Sequence, residues 1–193
     1  MTGAKGKLVI ISGPAGAGKS TVVRRLVEQC DLPLALSISA TTRQPRPNEQ
    51  NGVDYHFLPM SEFEQRRQQG DFLECKEAFG LGYWYGTLRS EVTTGLNAGK
   101  WVILEIDVEG ALAALEHYPD AITIFLHTGS LRELERRLRG RKTETEESIQ
   151  RRLAVAKEEL EHIDRYRHEV VNNEIDEAVQ GICDILTRYG DTN

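Results

Sequence analysis

Residues 7–29 read KLVIISGPAGAGKSTVVRRLVEQ, and the change of pattern inside this stretch decides the fold. LVII at 8–11 is an unbroken apolar run, as expected of a strand buried on both faces. After Gly18 the period lengthens, so that Val22, Val23, Leu26 and Val27 share one side of a helix predicted over 19–29. Between strand and helix, GPAGAGKST at 13–21 fits GxxxxGK[ST], with Gly13, Gly18, Lys19 and Ser20 at the required places. Glycines let such a turn bring several backbone N–H groups towards one point at a helix start, where partial positive charge also collects. That is a cradle for a nucleoside triphosphate: Lys19 neutralises the β and γ phosphates, and the Ser20 hydroxyl is placed to ligate Mg2+. An ordinary Gly-rich turn would need neither Lys nor Ser at those offsets.

The strand-helix alternation continues outward. WVILEI at 101–106 and AITIFLH at 121–127 are predicted parallel strands, joined by a crossover helix in VEGALAALEHY at 108–118. SLRELERRLRGR at 130–141 is a helix with capping-box spacing between Ser130 and Glu133. A long helix follows at 147–166, a short strand at 168–173 and a terminal helix at 175–190 ended by Gly190. The fold class is therefore α/β, a parallel sheet flanked by helices. Residues from about 35 to 90 interrupt the rhythm with Pro45, Pro47 and Pro59, short strands in YHFL and FLECKEAF, and a helix in SEFEQRRQQG. They form a smaller mixed lobe inserted in the core, and 1–193 is expected to be a single domain.

Composition excludes several functions. The longest apolar runs fall far short of the roughly 20 residues that cross a bilayer. The N-terminal residues lack a secretory hydrophobic segment, so the expected compartment is the cytoplasm. Cys30, Cys75 and Cys183 make no CxxC pair and leave an odd thiol in any pairing scheme, so buried, inert thiols are expected. Twenty-four Lys and Arg against 30 Asp and Glu give a net charge of −6, the wrong sign for coating nucleic acid. An anion must be held by a local site. The histidines at 56, 117, 127, 162 and 168 show no zinc-ligand spacing.

A P-loop does not say which molecule receives the phosphoryl group. SISATTRQPRP at 37–47 supplies Arg43 and Arg46 in a loop stiffened by Pro45 and Pro47. The planar guanidinium fork suits a phosphate, although on this fragment alone two solvated surface arginines fit equally well.

GPAGAGKST, SISATTRQPRPNEQNGVDYHF, FLECKEAFG, YGT, LEIDVEGA and RLRGRKTETEESIQRRL, in that order, resemble guanylate kinase over nearly the whole chain. Several of these stretches are specific to that family, whereas the P-loop is shared very widely. The resemblance implies transfer of the γ-phosphoryl group of ATP to GMP with Mg2+. It also implies a core at about 1–36 and 88–193, a GMP-binding lobe at about 37–87 and a small lid at about 139–150. ATP falls to Gly13, Pro14, Ala15, Gly16, Ala17, Gly18, Lys19, Ser20 and Thr21, with Asn172 near the adenine. Arg43, Arg46, Tyr55 and Tyr85 match the clamp on the GMP phosphate. Guanine offers N1–H and N2–H₂ donors beside an O6 acceptor, a pattern that calls for a carboxylate and a hydroxyl; Glu74, Ser39 and Thr87 lie where the family places them. Asp107 matches a second carboxylate facing the base amine, and also a residue that orients Mg2+ through water.

By the same resemblance Arg137, Arg141 and Arg152 are lid arginines that join Lys19 and Arg43 in the electrostatic work. Their neighbours Arg136, Arg139 and Arg151 are expected on a solvated face with Glu133, Glu135 and Glu147. The chain departs from the family pattern at Ala15, Glu105, Glu109, Lys142 and Asn173, and carries two extra residues between FG and YGT. Trp84 directly precedes Tyr85, so its exposure is expected to change when GMP binds, unlike that of Trp101. The rival readings are a kinase of a phosphorylated sugar, which needs no guanine pocket, and a non-catalytic interaction module, which would lack a working P-loop. Neither nucleic acid nor membrane is an expected partner, and protein partners cannot be read from the sequence.

Overall fold

A computed structural model describes residues 6–78, 82–140 and 145–191. In chain order the elements begin with β1 (Leu8–Ser12), α1 (Lys19–Gln29), β2 (Leu34–Leu36), β3 (Ala40–Thr41) and β4 (His56–Phe57). Next come α2 (Met60–Gln68), β5 (Phe72–Glu77), β6 (Trp84–Leu88), α3 (Arg89–Asn97), β7 (Trp101–Glu105) and α4 (Val108–His117). The chain continues with β8 (Ile122–His127), α5 (Leu131–Gly140), α6 (Glu146–Leu160), β9 (His168–Val171) and α7 (Ile175–Gly190).

The apolar run at 8–11 becomes the middle strand of a parallel sheet ordered β2-β7-β1-β8-β9. Its side chains alternate between two cores. Val9 and Ile11 pack with Val22, Val23 and Leu26 of α1 and Ile182 and Leu186 of α7, whereas Leu8 and Ile10 pack with Val92 of α3 and Ala111 and Ala114 of α4. The register Ile10↔Leu104 and Ile10↔Thr123 sets β7 and β8 on either side of β1. The carboxyl ends of β1 and β7 therefore open on one edge, the place where α/β sheets receive ligands.

A second sheet, ordered β4-β3-β6-β5, is built from the inserted segment. Phe63 of α2 stacks on Phe72 with ring centroids 4.4 Å apart, and Ala40 and Leu88 complete a small core behind this sheet. Trp84 belongs to that core, 6.1 Å from the Phe63 ring and under the Arg67 guanidinium at 4.6 Å. Alternation along β6 sends Trp84 and Tyr85 to opposite faces, so Trp84 is not placed to follow Tyr85. Residues 79–81, in the lengthened segment before it, lie outside the described residues.

Two further expectations need correction. The helix predicted over 147–166 stops at Leu160, and a short 3-10 turn at Ile163–Arg165 follows. The break lets Tyr166 fold back beside Phe125, edge-on at 5.1 Å, before β9 begins. The thiols are not all inert: Cys30, at the end of α1, forms a disulfide with Cys183 of α7, their Cα atoms 5.8 Å apart. Their separation of 153 positions hides this pairing from the sequence; the packing of α1 on α7 creates it. Cys75 is free. Among the described residues no helix is long and apolar enough to cross a membrane.

Candidate active site

The loop after β1 is held by backbone geometry. Gly13 has φ 137°, and a Cβ there would lie 2.0 Å from the Leu126 carbonyl oxygen of β8. Gly18 caps α1 in the left-handed region at φ 89°, where a side chain is strained. The Lys19 ammonium donates to the Gly13 and Pro14 carbonyls at 2.5 and 3.1 Å, and so arches over the loop. The Ser20 hydroxyl donates to Glu105 at the end of β7, at 2.5 Å. Asn172, fully buried, donates its amide to the Ala17 carbonyl at 2.7 Å. It therefore supports the loop from behind, from 155 positions away in the chain.

A cavity of about 400 Å³ opens between this loop and the second sheet. Lys19, Ser39, Arg43, Arg46, Tyr55, Glu74, Tyr85, Asp107 and Arg152 all line it. Arg43 is largely buried and makes a two-pronged pair with Glu49, both contacts 2.9 Å, while its Nε donates to the Tyr85 hydroxyl at 3.1 Å. The Arg46 N–H donates to the same Glu49 at 2.8 Å. These bonds hold the Glu49 carboxyl down at about 2 and raise the affinity of Arg43 for its proton. The Tyr55 ring meets Tyr85 edge-on at 5.8 Å and lies under the Arg43 guanidinium at 5.5 Å. The Arg46 side chain, by contrast, is 75% exposed.

At the other end of the cavity Glu74 of β5 accepts a 2.6 Å hydrogen bond from Thr87 of β6. Thr87 is itself buried and does not line the cavity, so it orients the carboxylate. Burial pushes the Glu74 carboxyl above its ordinary range, Thr87 opposing and Asp107 adding to the rise. Asp107 caps α4 by accepting from the Gly110 N–H at 2.9 Å, and holds the Lys76 ammonium at 2.6 Å with its other oxygen.

The arginines of α5 and α6 separate into two groups. Ser130 accepts from the Glu133 N–H at 3.2 Å, but the Glu133 side chain turns to Arg136 and Arg137 instead of back to the cap. Arg139 pairs with Glu135 and Glu146, and Arg151 with Glu147, as expected of a charged surface. Arg137 reaches the Asn172 carbonyl at 2.8 Å, on the side of the phosphate loop. Arg141 and Lys142 lie outside the described residues.

The family model described as guanylate kinase matches residues 5–189. The chain belongs to the guanylate kinase family. It is 60% identical over 183 residues to a guanylate kinase of Rhodopirellula baltica, covering 94% of this chain and 87% of the relative. It is 46% identical over 181 residues to one of Fusobacterium nucleatum, covering 94% and 96%. Among solved structures, a crystal structure of guanylate kinase from Anaplasma phagocytophilum superposes with a TM-score of 0.78 at 30% identity, covering all of this chain and 90% of that one. The chain is accordingly an enzyme, a nucleoside monophosphate kinase.

Sequence reading missed Glu49 and Lys76 at the site and Glu159 beside it, and saw Glu105 only as a departure. Glu49 lies in the same proline-containing loop as its arginines, so the short spacing was an available signal. Glu159 had none: α6 carries many acids, and only packing singles out the one whose carboxyl is buried and raised to about 7.

Proposed function

We propose that the cavity between the two sheets is where this guanylate kinase transfers the γ-phosphoryl group of ATP to GMP, releasing ADP and GDP. The observation that supports this most is that Lys19 of the phosphate loop lines the same cavity as Arg43, Glu74 and Asp107. Phosphoryl transfer needs little covalent help; two anions must be held in line and the moving charge stabilised. ATP phosphates rest on the N–H groups of 13–21, and Lys19 turns from its carbonyl partners to the β and γ phosphates. The GMP phosphate takes Arg43, Arg46, Tyr55 and Tyr85. The base rests on Glu74, with Ser39 at its polar edge, Thr87 fixing Glu74, and Asp107 at the 2-amino group. No side chain is assigned as general base. Arg137, Arg141 and Arg152 add positive charge as the lobe at about 37–87 and the lid at about 139–150 close and exclude water.

Mg2+ suits the donors present. Ser20 and Glu105 offer hard oxygens beside the phosphate loop, and Mg2+ commonly takes one or two protein oxygens together with nucleotide phosphates and water. Ser20 would hold the ion directly, Asp107 and Glu105 through water. When bound it neutralises charge on the β and γ phosphates.

The test is a coupled assay with GMP, AMP, UMP and CMP as acceptors. GMP is expected to exceed AMP in kcat/KM by about 10⁴-fold, because adenine sets a lone pair against Glu74 and leaves buried polar groups unmatched. Comparable turnover of AMP would overturn the assignment of Glu74 and Asp107 to the base.

A further inference from the structure

Lys76 stands two residues after Glu74 on β5, so the two side chains leave the same face of the strand. Its ammonium lies 2.6 Å from Asp107 and 2.6 Å from Glu109. β5 belongs to the second sheet, whereas Asp107 and Glu109 open α4 of the core, so these ion pairs join the two parts of the molecule. The Asp107 carboxylate is thereby held at both oxygens: Oδ1 accepts the Gly110 N–H, and Oδ2 takes Lys76. A carboxylate has about four acceptor positions, so two are committed and the plane of the group is fixed. Gly110 brings Glu74 close to the same point. A Cβ there would lie 3.1 Å from Glu74 Oε2 and 3.4 Å from Asp107 Oδ1. Two carboxylates thus flank one turn of α4 in a half-buried cavity, and Lys76 lines that cavity as a cation within reach of both. Burial opposes its charge, but the bonds to Asp107 and Glu109 outweigh burial and keep it protonated.

We propose that Lys76 is a positioning residue for guanine recognition: it fixes the Asp107 carboxylate so that the remaining lone pairs meet the 2-amino group of the base. This rests on the reading that Asp107 faces that amine, and the experiment separates the two. The arm to Asp107 carries the effect, because Lys76 and Asp107 are each about one third exposed whereas Glu109 is 81% exposed; exposed pairs contribute little.

The readout is the ratio of kcat/KM for GMP to that for IMP, whose base lacks the 2-amino group. A ratio within one preparation does not depend on the fraction folded, so partial misfolding of a variant cannot imitate the result. Lys76→Met should lower the ratio about 10-fold, through the KM for GMP, with the KM for ATP unchanged. Lys76→Arg should retain most of the ratio, and Glu109→Gln should leave it within about twofold. Asp107→Asn should collapse it, and adding Lys76→Met to Asp107→Asn should lower it no further. If Asp107→Asn collapses the ratio while Lys76→Met lowers GMP and IMP alike, Lys76 is only a structural tie and the proposal fails with the site reading intact. If Asp107→Asn leaves the ratio unchanged, Asp107 does not read the amine and both fall.

Discussion

The loop at 13–21 presents backbone groups to a ligand, whereas the surface across the cavity from it presents side chains drawn from the 43–49 loop, β5, β6 and α4. The backbone site is complete before any ligand arrives: its shape comes from Gly13 pressed against Leu126 and from Asn172 behind Ala17. The side-chain site is already occupied by internal partners, with Glu49 on Arg43, Thr87 on Glu74 and Lys76 on Asp107. The backbone N–H groups of the loop have only to receive a ligand, with Lys19 and Ser20 giving up internal partners; across the cavity Arg43, Glu74 and Asp107 must all share or exchange hydrogen bonds to do so. Mutations on the first should remove the reaction, and those on the second should redistribute affinity among acceptors.

The harshest test of that contrast is Lys19→Met. It removes the one side-chain cation of the phosphate loop but leaves in place Gly13 and Asn172, which shape the backbone cradle, so kcat/KM should fall by at least about 10²–10³-fold with little change in the melting curve. Residual activity near that of the parent would mean that the cradle alone suffices. A smaller and one-sided effect is expected across the cavity. Arg43→Ala should raise the KM for GMP about 10-fold or more, through loss of a charge-assisted bond worth about 1.5–3 kcal/mol, and change that for ATP much less. Equal changes for the two substrates would place Arg43 at their shared boundary instead.

The same contrast explains what could be read in advance. The phosphate loop is local: nine consecutive residues carry its glycines, its cation and its hydroxyl, and β1 and α1 fall where the pattern put them. Its support is not local, because Asn172 reaches Ala17 only through the order of the sheet. In the second sheet β3 is two residues long and β6 contains Gly86, so neither shows a usable alternation. α3 was not read either; RSEVTTGLN has two β-branched threonines and a glycine, which mask its helical period. Arg43, Glu74 and Asp107 were nameable because they stand in recognisable stretches. Of their partners, Glu49 sat six residues from Arg43 in the same loop and could have been found by spacing, whereas Lys76 could not, since an ion pair across elements leaves no periodic trace.

The smallest expected effect concerns Glu159, which lies near Lys19, Asp107 and Lys76 and has a buried Oε2 with no hydrogen-bond partner among the described residues. Burial raises its carboxyl from 4.5 to about 7, Lys19 opposing and Asp107 adding. The folded state therefore holds this proton more tightly than the unfolded chain. The contribution of Glu159 to stability is full below about 4.5 and is lost as pH rises through about 7. Glu159→Gln should accordingly stabilise the protein at pH 8, by roughly 1–3 kcal/mol, and have little effect at pH 4. Melting curves of both proteins at the two pH values decide this; an equal shift at both would show that packing, not charge, governs the position.

The most direct measurement of the central claim, that the second sheet reads a guanine base beside the phosphate loop, is base preference in Glu74→Gln. The substitution keeps the size of the side chain and replaces one acceptor oxygen by a donor. The ratio of kcat/KM for GMP to that for AMP should narrow by about 10²-fold, with the KM for ATP little altered. An unchanged ratio alongside a normal melting curve would contradict the account, because the one carboxylate buried against Thr87 and Gly110 would then not be reading the base.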